Sequence, residues 1–222
     1  MGERWLRYLF TTPKVMYCKI SQDPAEVIPY LNEGRLIAFP TDTSYGLAAN
    51  ALRGFALQRV RNLKRRPADK PFSVFMAERL WPEFLLLTDP ERQFITKLTN
   101  QPVTILVKPV PDLSHLAQDG LLALRMIDHP LMRELASLSP VPLTATSANP
   151  AGKSPALSPK QIQAYFPGRV DDTTYDLSLA AILDAGTLPD SPPSTIVYLE
   201  PKNNTIEIIR PGKISVEQIR SL

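Results

Sequence analysis

The sequence predicts an α/β fold, and three observations support the prediction. The chain has 222 residues, which suits one domain whose core needs no cross-link. Short apolar runs typical of buried strands alternate with segments of helical periodicity. The 23 prolines lie between these runs, and with only 9 glycines they indicate many short elements rather than a linker. Alternating strands and helices predict a mixed or parallel sheet of about seven or eight strands, covered by helices on both faces.

The first helix is predicted to begin at Asp23-Pro24, because aspartate caps a helix and proline suits its first position. Pro29 interrupts this helix and Gly34 ends it. Residues 35–39 (RLIAF) have the composition of a buried strand, and residues 40–46 are expected to form a loop.

The next helix is predicted over residues 54–64, and the chain must leave it before Pro67. Another begins at Asp89-Pro90. Further helices are expected at residues 130–138, 158–168 and 215–222. The remaining strands are expected at residues 72–76, 103–108, 121–126, 143–146, 179–184, 195–199 and 205–210.

Composition excludes several classes of protein. The net charge of +3 is too small to indicate nucleic-acid binding by itself. The single cysteine, Cys18, excludes an internal disulfide and a cysteine zinc cluster, which suits a reducing compartment. No apolar run reaches the roughly 18 residues of a membrane helix, and the charged N-terminus does not resemble a secretory signal. A cytoplasmic location without membrane attachment is therefore expected.

The common nucleotide-binding motifs are absent. The sequence contains neither G-x-x-x-x-G-K-[ST] nor G-x-G-x-x-G. A phosphate would therefore be held by side chains and helix starts rather than by a glycine-rich loop. His115 and His129 lie apart in the sequence and are expected to be structural, and no metal-ligand cluster is predicted.

Small hydroxyl groups follow the strand predicted at residues 35–39. In an extended chain, Thr41 and Thr43 point to one side and Asp42 and Ser44 to the other. Hydroxyl groups at the carboxyl end of a strand are well placed to bind a polar ligand. An ordinary turn would have the same composition.

A basic segment, residues 63–71 (LKRRPADKP), follows the helix predicted over residues 54–64. In an extended chain, Lys64 and Arg66 share a side while Arg65 points away. A point charge and a planar guanidinium suit a triphosphate or a carboxylate. The alternative is a solvated basic helix end, which the helix dipole favours.

Two further polar segments lie near the ends of predicted strands. In residues 144–153 (TATSANPAGK), Ser147 and Asn149 share a side. Because the glycines of G-x-S-x-G are missing, Ser147 is expected to bind a ligand rather than attack one; an Asn-Pro turn is the alternative. Ser194 begins the tripeptide S-T-I, and Arg210 ends an apolar strand just before a Pro-Gly turn.

The order of these segments is more specific than any one of them. A strand leads into P-T-D-T-x-Y-G-L, and K-x-R-P-x-x-x-P, S-x-N-P-x-G, S-T-I and R-P-G follow in that order. From about Leu31 onward the sequence therefore resembles the YrdC family of L-threonylcarbamoyladenylate synthases. It resembles the short form of that family, so residues 21–222 are expected to form a single domain, with residues 1–20 as an unassigned extension.

The resemblance implies a twisted mixed sheet of about seven strands, flanked by helices, with a large concave basic cavity. It also implies a nucleotidyltransferase that condenses L-threonine, bicarbonate and ATP to threonylcarbamoyl-AMP and pyrophosphate, for threonylcarbamoyladenosine at A37 of tRNA. Mg²⁺ would be carried largely by the phosphates and water. The expected macromolecular partners are tRNA or double-stranded RNA and downstream threonylcarbamoyl-transferase proteins. Adenylation needs cations on the transition-state charge and no protein nucleophile, which agrees with the residues present.

The resemblance also implies roles for individual residues. Lys64 and Arg66 are expected to be catalytic. The residues expected to bind threonine or bicarbonate are Thr41, Arg125, Ser147 and Ser194. Those expected to bind ATP are Lys64, Arg66, Thr104, Asn149, Ser158 and Arg210.

The sequence departs from the family pattern at three places. Phe75 stands where many members carry a histidine, residues 184–186 replace a more glycine-rich turn, and Pro192-Pro193 stiffens the segment before Ser194. Two other functions stay open: a double-stranded RNA or ribosome-associated binding protein, and a YciO-like paralogue that hydrolyses nucleotide. The intact K-x-R and S-x-N motifs favour the synthase.

Overall fold

The computed structural model describes residues 18–126, 129–167, 178–200 and 205–221. Its strands are β1 Lys19–Ser21, β2 Leu36–Pro40, β3 Tyr45–Ala48, β4 Ser73–Phe75, β5 Val103–Val107, β6 Leu122–Arg125, β7 Leu143–Ser147, β8 Leu179–Leu183, β9 Thr195–Glu200 and β10 Thr205–Arg210. All ten form one sheet in the order β1-β8-β2-β3-β7-β4-β6-β5-β9-β10. The mixed α/β class is confirmed, but the expected number of about seven strands is wrong.

The two strands that the sequence did not indicate are β1 and β3. Strand β1 has three residues and pairs in parallel with β8 at the edge of the sheet, so the expected boundary at residue 20 falls inside it. The division into residues 1–20 and 21–222 stays a prediction, because residues 1–17 lie outside the described part of the chain. The first residues of strand β3 were expected to belong to a loop. Turn-forming residues precede the strand, and its small residues, Gly46 and Ala48, have low strand propensity.

The helices are α1 Ile28–Asn32, α2 Gly54–Lys64, α3 Trp81–Phe84, α4 Asp89–Lys97, α5 Pro130–Leu138, α6 Pro159–Tyr165 and α7 Val216–Arg220. Single 3-10 segments occur at Pro24–Glu26, Glu78–Leu80 and Pro111–Leu116. Pro29 does interrupt the first predicted helix, which divides into a 3-10 turn capped by Asp23 and the short α1. Helix α4 is capped by Thr88, not by Asp89, because Thr88 and Glu91 form a capping box.

Side chains of β2 alternate between two hydrophobic clusters. Leu36 and Ala38 join the larger cluster, with α2, α4, α6 and α7, whereas Ile37 and Phe39 join the smaller one, with α1 and α5. Both faces of the sheet are therefore covered, as expected for a mixed sheet with crossover helices. The polar side chains described next interrupt this apolar packing.

Candidate functional site

A cavity of about 680 Å³ lies against the sheet. Every strand except β1 and β8 contributes at least one lining residue. Hydroxyl groups and guanidinium groups make up most of its polar wall. A concave site of this size with a few convergent polar groups is typical of small-molecule binding.

One row of paired residues crosses four adjacent strands and forms one wall of the cavity. Arg125 of β6 pairs with Thr104 of β5, Thr104 pairs with Ile196 of β9, and Ile196 pairs with Arg210 of β10. Paired residues on neighbouring strands point to the same face of a sheet. Register alone therefore brings two arginines and a threonine, far apart in the sequence, to one surface, and all four residues line the cavity.

Ser194 joins this row from the loop before β9. Its hydroxyl oxygen lies 2.9 Å from Thr104 Oγ1, and Arg210 Nη2 donates to its carbonyl oxygen at 2.7 Å. Next to it, Thr195 Oγ1 donates to Ile214 O at 2.7 Å and ties the start of β9 to the chain after β10. The S-T-I and R-P-G motifs are thus parts of one hydrogen-bonded unit.

A tight turn joins β2 to β3 and presents the first motif. Thr41 Oγ1 accepts hydrogen bonds from the backbone N–H groups of Thr43 and Ser44, at 3.1 and 3.2 Å. Thr41, Thr43 and Ser44 all line the cavity, so the strict alternation expected of an extended chain does not hold here. The reason is that Thr41 closes a hydroxyl-capped turn.

Helix α2 ends in a left-handed residue that separates the neighbouring cations. Arg65 has φ of 52°, and the backbone N–H of Arg66 donates back to Arg61 O at 2.9 Å. This arrangement is a Schellman-type helix end. Arg65 is exposed, whereas Lys64 is buried and Arg66 is half-buried. The separation expected from the sequence is present, but its cause is a helix cap rather than an extended chain.

Lys64 connects the K-x-R motif to the S-x-N motif. Its ammonium donates to Ser147 O and, at 3.4 Å, to Asn149 Oδ1. Burial, and to a smaller extent the charge of Arg66, lowers the pKa of Lys64 to about 7. Asn149 in turn donates from Nδ2 to the carbonyl oxygens of Pro150 and Lys153. Both side chains hold the turn after β7 in place.

Arg66 reaches the cavity from the segment that leads to β4. Its Nη2 donates to Pro71 O at 2.5 Å, Nη1 lies 3.4 Å from Thr146 Oγ1, and its guanidinium carbon lies 5.1 Å from the centre of the Phe72 ring. Burial, followed by the charge of Arg61, lowers the pKa of Arg66. Several contacts therefore fix its direction toward the cavity.

The structure brings most of the expected site residues together. Those that line the cavity are Thr41, Arg66, Thr104, Arg125, Ser147, Ser194 and Arg210. The other three, Lys64, Asn149 and Ser158, are not among the lining residues. Ser158 caps α6 by accepting from Gln161 N, and Gln161 lines the cavity. The roles expected for all ten stay predictions.

Positive charge exceeds negative charge on the cavity wall. Arg66, Arg125 and Arg210 line it, with Asp190 as the carboxylate among the lining residues. Among the described residues, one of these three arginines forms an ion pair: Arg125 pairs with Asp42. Burial, followed by the charge of Arg125, lowers the pKa of Arg210. The cavity wall therefore favours an anionic ligand.

Residues that sequence reasoning did not single out also shape the cavity. Tyr45 Oη donates to Gly186 O at 2.8 Å and accepts from Ala185 N at 2.9 Å, so it fastens the turn after β8. Burial raises the pKa of Tyr45 to about 12. Asp190 and Gln161 line the cavity. Of these three residues, only Tyr45 lies in a motif recognised in the sequence, P-T-D-T-x-Y-G-L.

Phe75 does not line the cavity. It is 1% exposed, and its ring centre lies 5.2 Å from that of Phe39, which is a lining residue. The Phe75 ring therefore packs against Phe39, which lines the cavity, and does not line the cavity itself.

Within residues 18–126, 129–167, 178–200 and 205–221, no group of three or more histidine, cysteine or acidic side chains is arranged to hold a metal ion. None of the helices described is both long enough and apolar enough to span a bilayer.

Comparison with known proteins gives consistent matches. The family model named Sua5/YciO/YrdC, described as telomere recombination, matches residues 29–212. A Methanocaldococcus jannaschii protein, provisionally named threonylcarbamoyl-AMP synthase, is 33% identical over 84% of each chain. The Bacillus subtilis threonylcarbamoyl-AMP synthase is 32% identical over 91% of this chain, which spans only 57% of that protein.

Solved structures share the fold. Sua5 of Pyrococcus abyssi, crystallised with L-threonine, has a TM-score of 0.76 and 27% identity, over 92% of this chain and 60% of Sua5. Escherichia coli YciO has a TM-score of 0.73 over 91% of this chain and all of its own, but at 18% identity it supports the fold alone.

Proposed function

Because the chain belongs to the Sua5/YciO/YrdC family, we propose that it is a threonylcarbamoyl-AMP synthase. The reaction condenses L-threonine, bicarbonate and ATP to threonylcarbamoyl-AMP, pyrophosphate and water, and is a nucleotidyl transfer. Relatives of this name match more than four-fifths of the chain. The product serves the threonylcarbamoyladenosine modification of tRNA.

The observation that carries the proposal is the convergence of the motifs on one cavity. Arg66, Ser147, Ser194 and Arg210 come from four separate motifs, and all of them line it. Lys64 is not among the lining residues but lies directly behind one of them, since its ammonium donates to the carbonyl oxygen of Ser147. The reaction requires that an anionic nucleotide and a small polar amino acid bind next to each other, and one shared cavity allows this.

Different lining residues of the cavity suit different substrates. Arg125 receives the threonine carboxylate, near Thr41, which lines the same cavity, and Ser194, which offers a hydroxyl group. Arg66 and Arg210 hold the ATP phosphates, with support from Lys64. Thr104 contributes a hydroxyl group beside both sets of residues, since it bonds to Ser194 and lines the cavity.

The chemistry needs positioning rather than a protein nucleophile. The threonine amine attacks bicarbonate-derived carbon and loses a proton, and a carbamate and water form. A carbamate oxygen then attacks the α-phosphorus, and pyrophosphate leaves with the electrons of the broken P–O bond. Guanidinium groups stabilise the charge that develops on the phosphoryl oxygens.

Mg²⁺ would be brought to the site largely by the ATP phosphates and water, as is usual where a protein offers few carboxylates. The Asp42 carboxylate is engaged by Arg125, and among the described residues no acidic cluster is arranged to hold the ion. Bound Mg²⁺ would add neutralising charge on the phosphates.

The partners follow from the reaction. The small-molecule partners are L-threonine, bicarbonate and ATP, and the product must pass to a protein that transfers the threonylcarbamoyl group to tRNA. Because these substrates and tRNA meet in the cytoplasm, we place the protein there.

The decisive experiment is a pyrophosphate-release assay with ATP, bicarbonate and L-threonine. We expect release that requires both threonine and bicarbonate. Release that ignores threonine would favour a nucleotide-hydrolysing paralogue. No release, together with tight double-stranded RNA binding that weakens steeply with salt, would favour an RNA-binding protein.

A further inference from the structure

Asp42 carries a buried carboxylate to which none of the roles above is assigned. Its side chain is 6% exposed, and its Oδ1 accepts a hydrogen bond from Arg125 Nη2. The second oxygen, Oδ2, is buried without a hydrogen-bond partner in the described part of the chain. Burying a carboxylate is costly unless it is well paired. The position of Asp42 therefore needs a reason beyond the fold.

The partner of Asp42 is held by three acceptors. Arg125 Nη1 donates to Val103 O at 3.1 Å and to Met126 O at 2.6 Å, while Nη2 donates to Asp42. A guanidinium has five N–H donors in a fixed planar fork. Three of them have these acceptors among the described residues, so two N–H groups are left for a ligand. Arg125 lines the cavity, whereas Asp42 does not.

Asp42 itself is held in the hydroxyl-capped turn between β2 and β3. Thr41 closes that turn through the N–H groups on the carboxyl side of Asp42. From the other direction, Lys213 Nζ donates to the main-chain oxygen of Asp42 at 2.6 Å. The carboxylate is therefore presented to Arg125 by a fixed turn rather than by a free loop.

We propose that Asp42 is a positioning residue, which orients the Arg125 guanidinium so that its remaining N–H groups receive the carboxylate of the amino-acid substrate. This inference rests on the proposed function, in which Arg125 binds that carboxylate. Asp42 acts through Arg125 and does not touch the substrate.

A positioning role for Asp42 and a purely electrostatic role predict opposite changes in threonine binding when Asp42 is removed. Removing the negative charge of Asp42 leaves more net positive charge beside the cavity, and Coulomb attraction alone would then strengthen the binding of ATP and of the threonine carboxylate. If Asp42 orients Arg125, its removal weakens the binding of the amino acid, because a planar fork binds a carboxylate well only in the right direction.

The test is calorimetric titration of L-threonine and of ATP, separately, into the wild type, Asp42→Ala, Asp42→Asn, Arg125→Ala and the double variant Asp42→Ala/Arg125→Ala. We expect Asp42→Ala to weaken threonine binding at least tenfold and to leave ATP affinity unchanged or tighter. Asp42→Asn keeps an acceptor for Arg125, so its threonine affinity is expected within threefold of the wild type. In the Arg125→Ala background, removing Asp42 should have no further effect on threonine.

Asp112→Ala is the control, since Asp112 is exposed and lies away from the cavity; it should bind both ligands as the wild type does. Equal or tighter threonine binding by Asp42→Ala would overturn the inference while leaving the proposed function intact. Equal losses for threonine and ATP, with a lower melting temperature, would indicate a merely structural role and overturn it as well. A wild type that binds no threonine would overturn the proposed function and this inference with it.

Discussion

Thr104 and Ser194 are 90 residues apart in the chain, and their hydroxyl oxygens lie 2.9 Å apart. Thr104 belongs to the strand row that carries Arg125 and Arg210, whereas Ser194 belongs to the loop before β9. This contact joins the part of the cavity assigned to ATP to the part assigned to threonine.

Replacing Thr104 by valine should affect both substrates. Thr104→Val removes one hydroxyl group and leaves Ser194 without this partner, a loss of about 1 kcal/mol or about fivefold in binding. We expect KM for ATP and for threonine to rise together, whereas Thr104→Ser should stay near the wild type. Steady-state pyrophosphate kinetics measure both constants, and an unchanged pair would contradict the assignment.

Arg66 should be needed for turnover. We expect Arg66→Ala to lower kcat at least about tenfold, since one charged contact to the transition state contributes more than about 1.4 kcal/mol. Arg65→Ala is the matched control, because Arg65 is exposed and is not among the residues that line the cavity. The threonine-dependent rate of pyrophosphate release checks this prediction, and equal rates in the two variants would count against the site.

Lys64 should couple ATP binding to proton uptake. Its pKa is lowered to about 7 by burial, so at pH 8 most of the protein has a neutral amine at this position. Polyphosphate charge nearby favours the ammonium, so ATP binding at pH 8 takes up a proton, and affinity falls from pH 7 to pH 9. Below about pH 6 the amine is already charged and the uptake should vanish.

Calorimetry of ATP binding at pH 8, in two buffers of different ionisation enthalpy, measures this proton uptake. Lys64→Gln removes the titrating group and provides the reference. Equal uptake in the variant and the wild type would show that another group titrates.

Gly212 should tolerate no side chain. A Cβ atom there would lie 2.3 Å from Pro193 O and 2.6 Å from Thr195 N, both of which are backbone atoms. Gly212→Ala should therefore destabilise the fold by about 1–3 kcal/mol and displace Ser194, with a higher KM for threonine. Gly54→Ala is the control, because nothing lies within 4 Å of its Cβ position and alanine favours the helix. Urea denaturation compares the two, and equal stability would refute this packing.

Local signals predicted the elements with clear ends. The bounds of α2 and α5 agree with the sequence-based ones, because Pro67 and Pro130 mark them. Strand β3 could not be predicted in the same way, since its stability comes from pairing with β2 and β7 on either side. Propensity does not contain such tertiary pairing.

The site residues likewise divide into those that the sequence predicted and those that depend on tertiary contacts. The order of motifs indicated Arg66, Ser194 and Arg210 as members of one cavity, which the structure brings together. The pairing of Asp42 with Arg125 joins residues 83 positions apart, and no local sequence pattern predicts it. A buried carboxylate is recognised only when its three-dimensional neighbour is known.

The crowding of like charges on the cavity wall has a thermodynamic consequence. The guanidinium of Arg125 already disfavours the charged form of Arg210, so the native state carries an internal repulsion that a bound anion relieves. A ligand that binds only the folded chain stabilises it by about 2.7 kcal/mol at a hundred times its Kd. An anionic ligand bound at this wall would therefore raise the melting temperature of the folded chain.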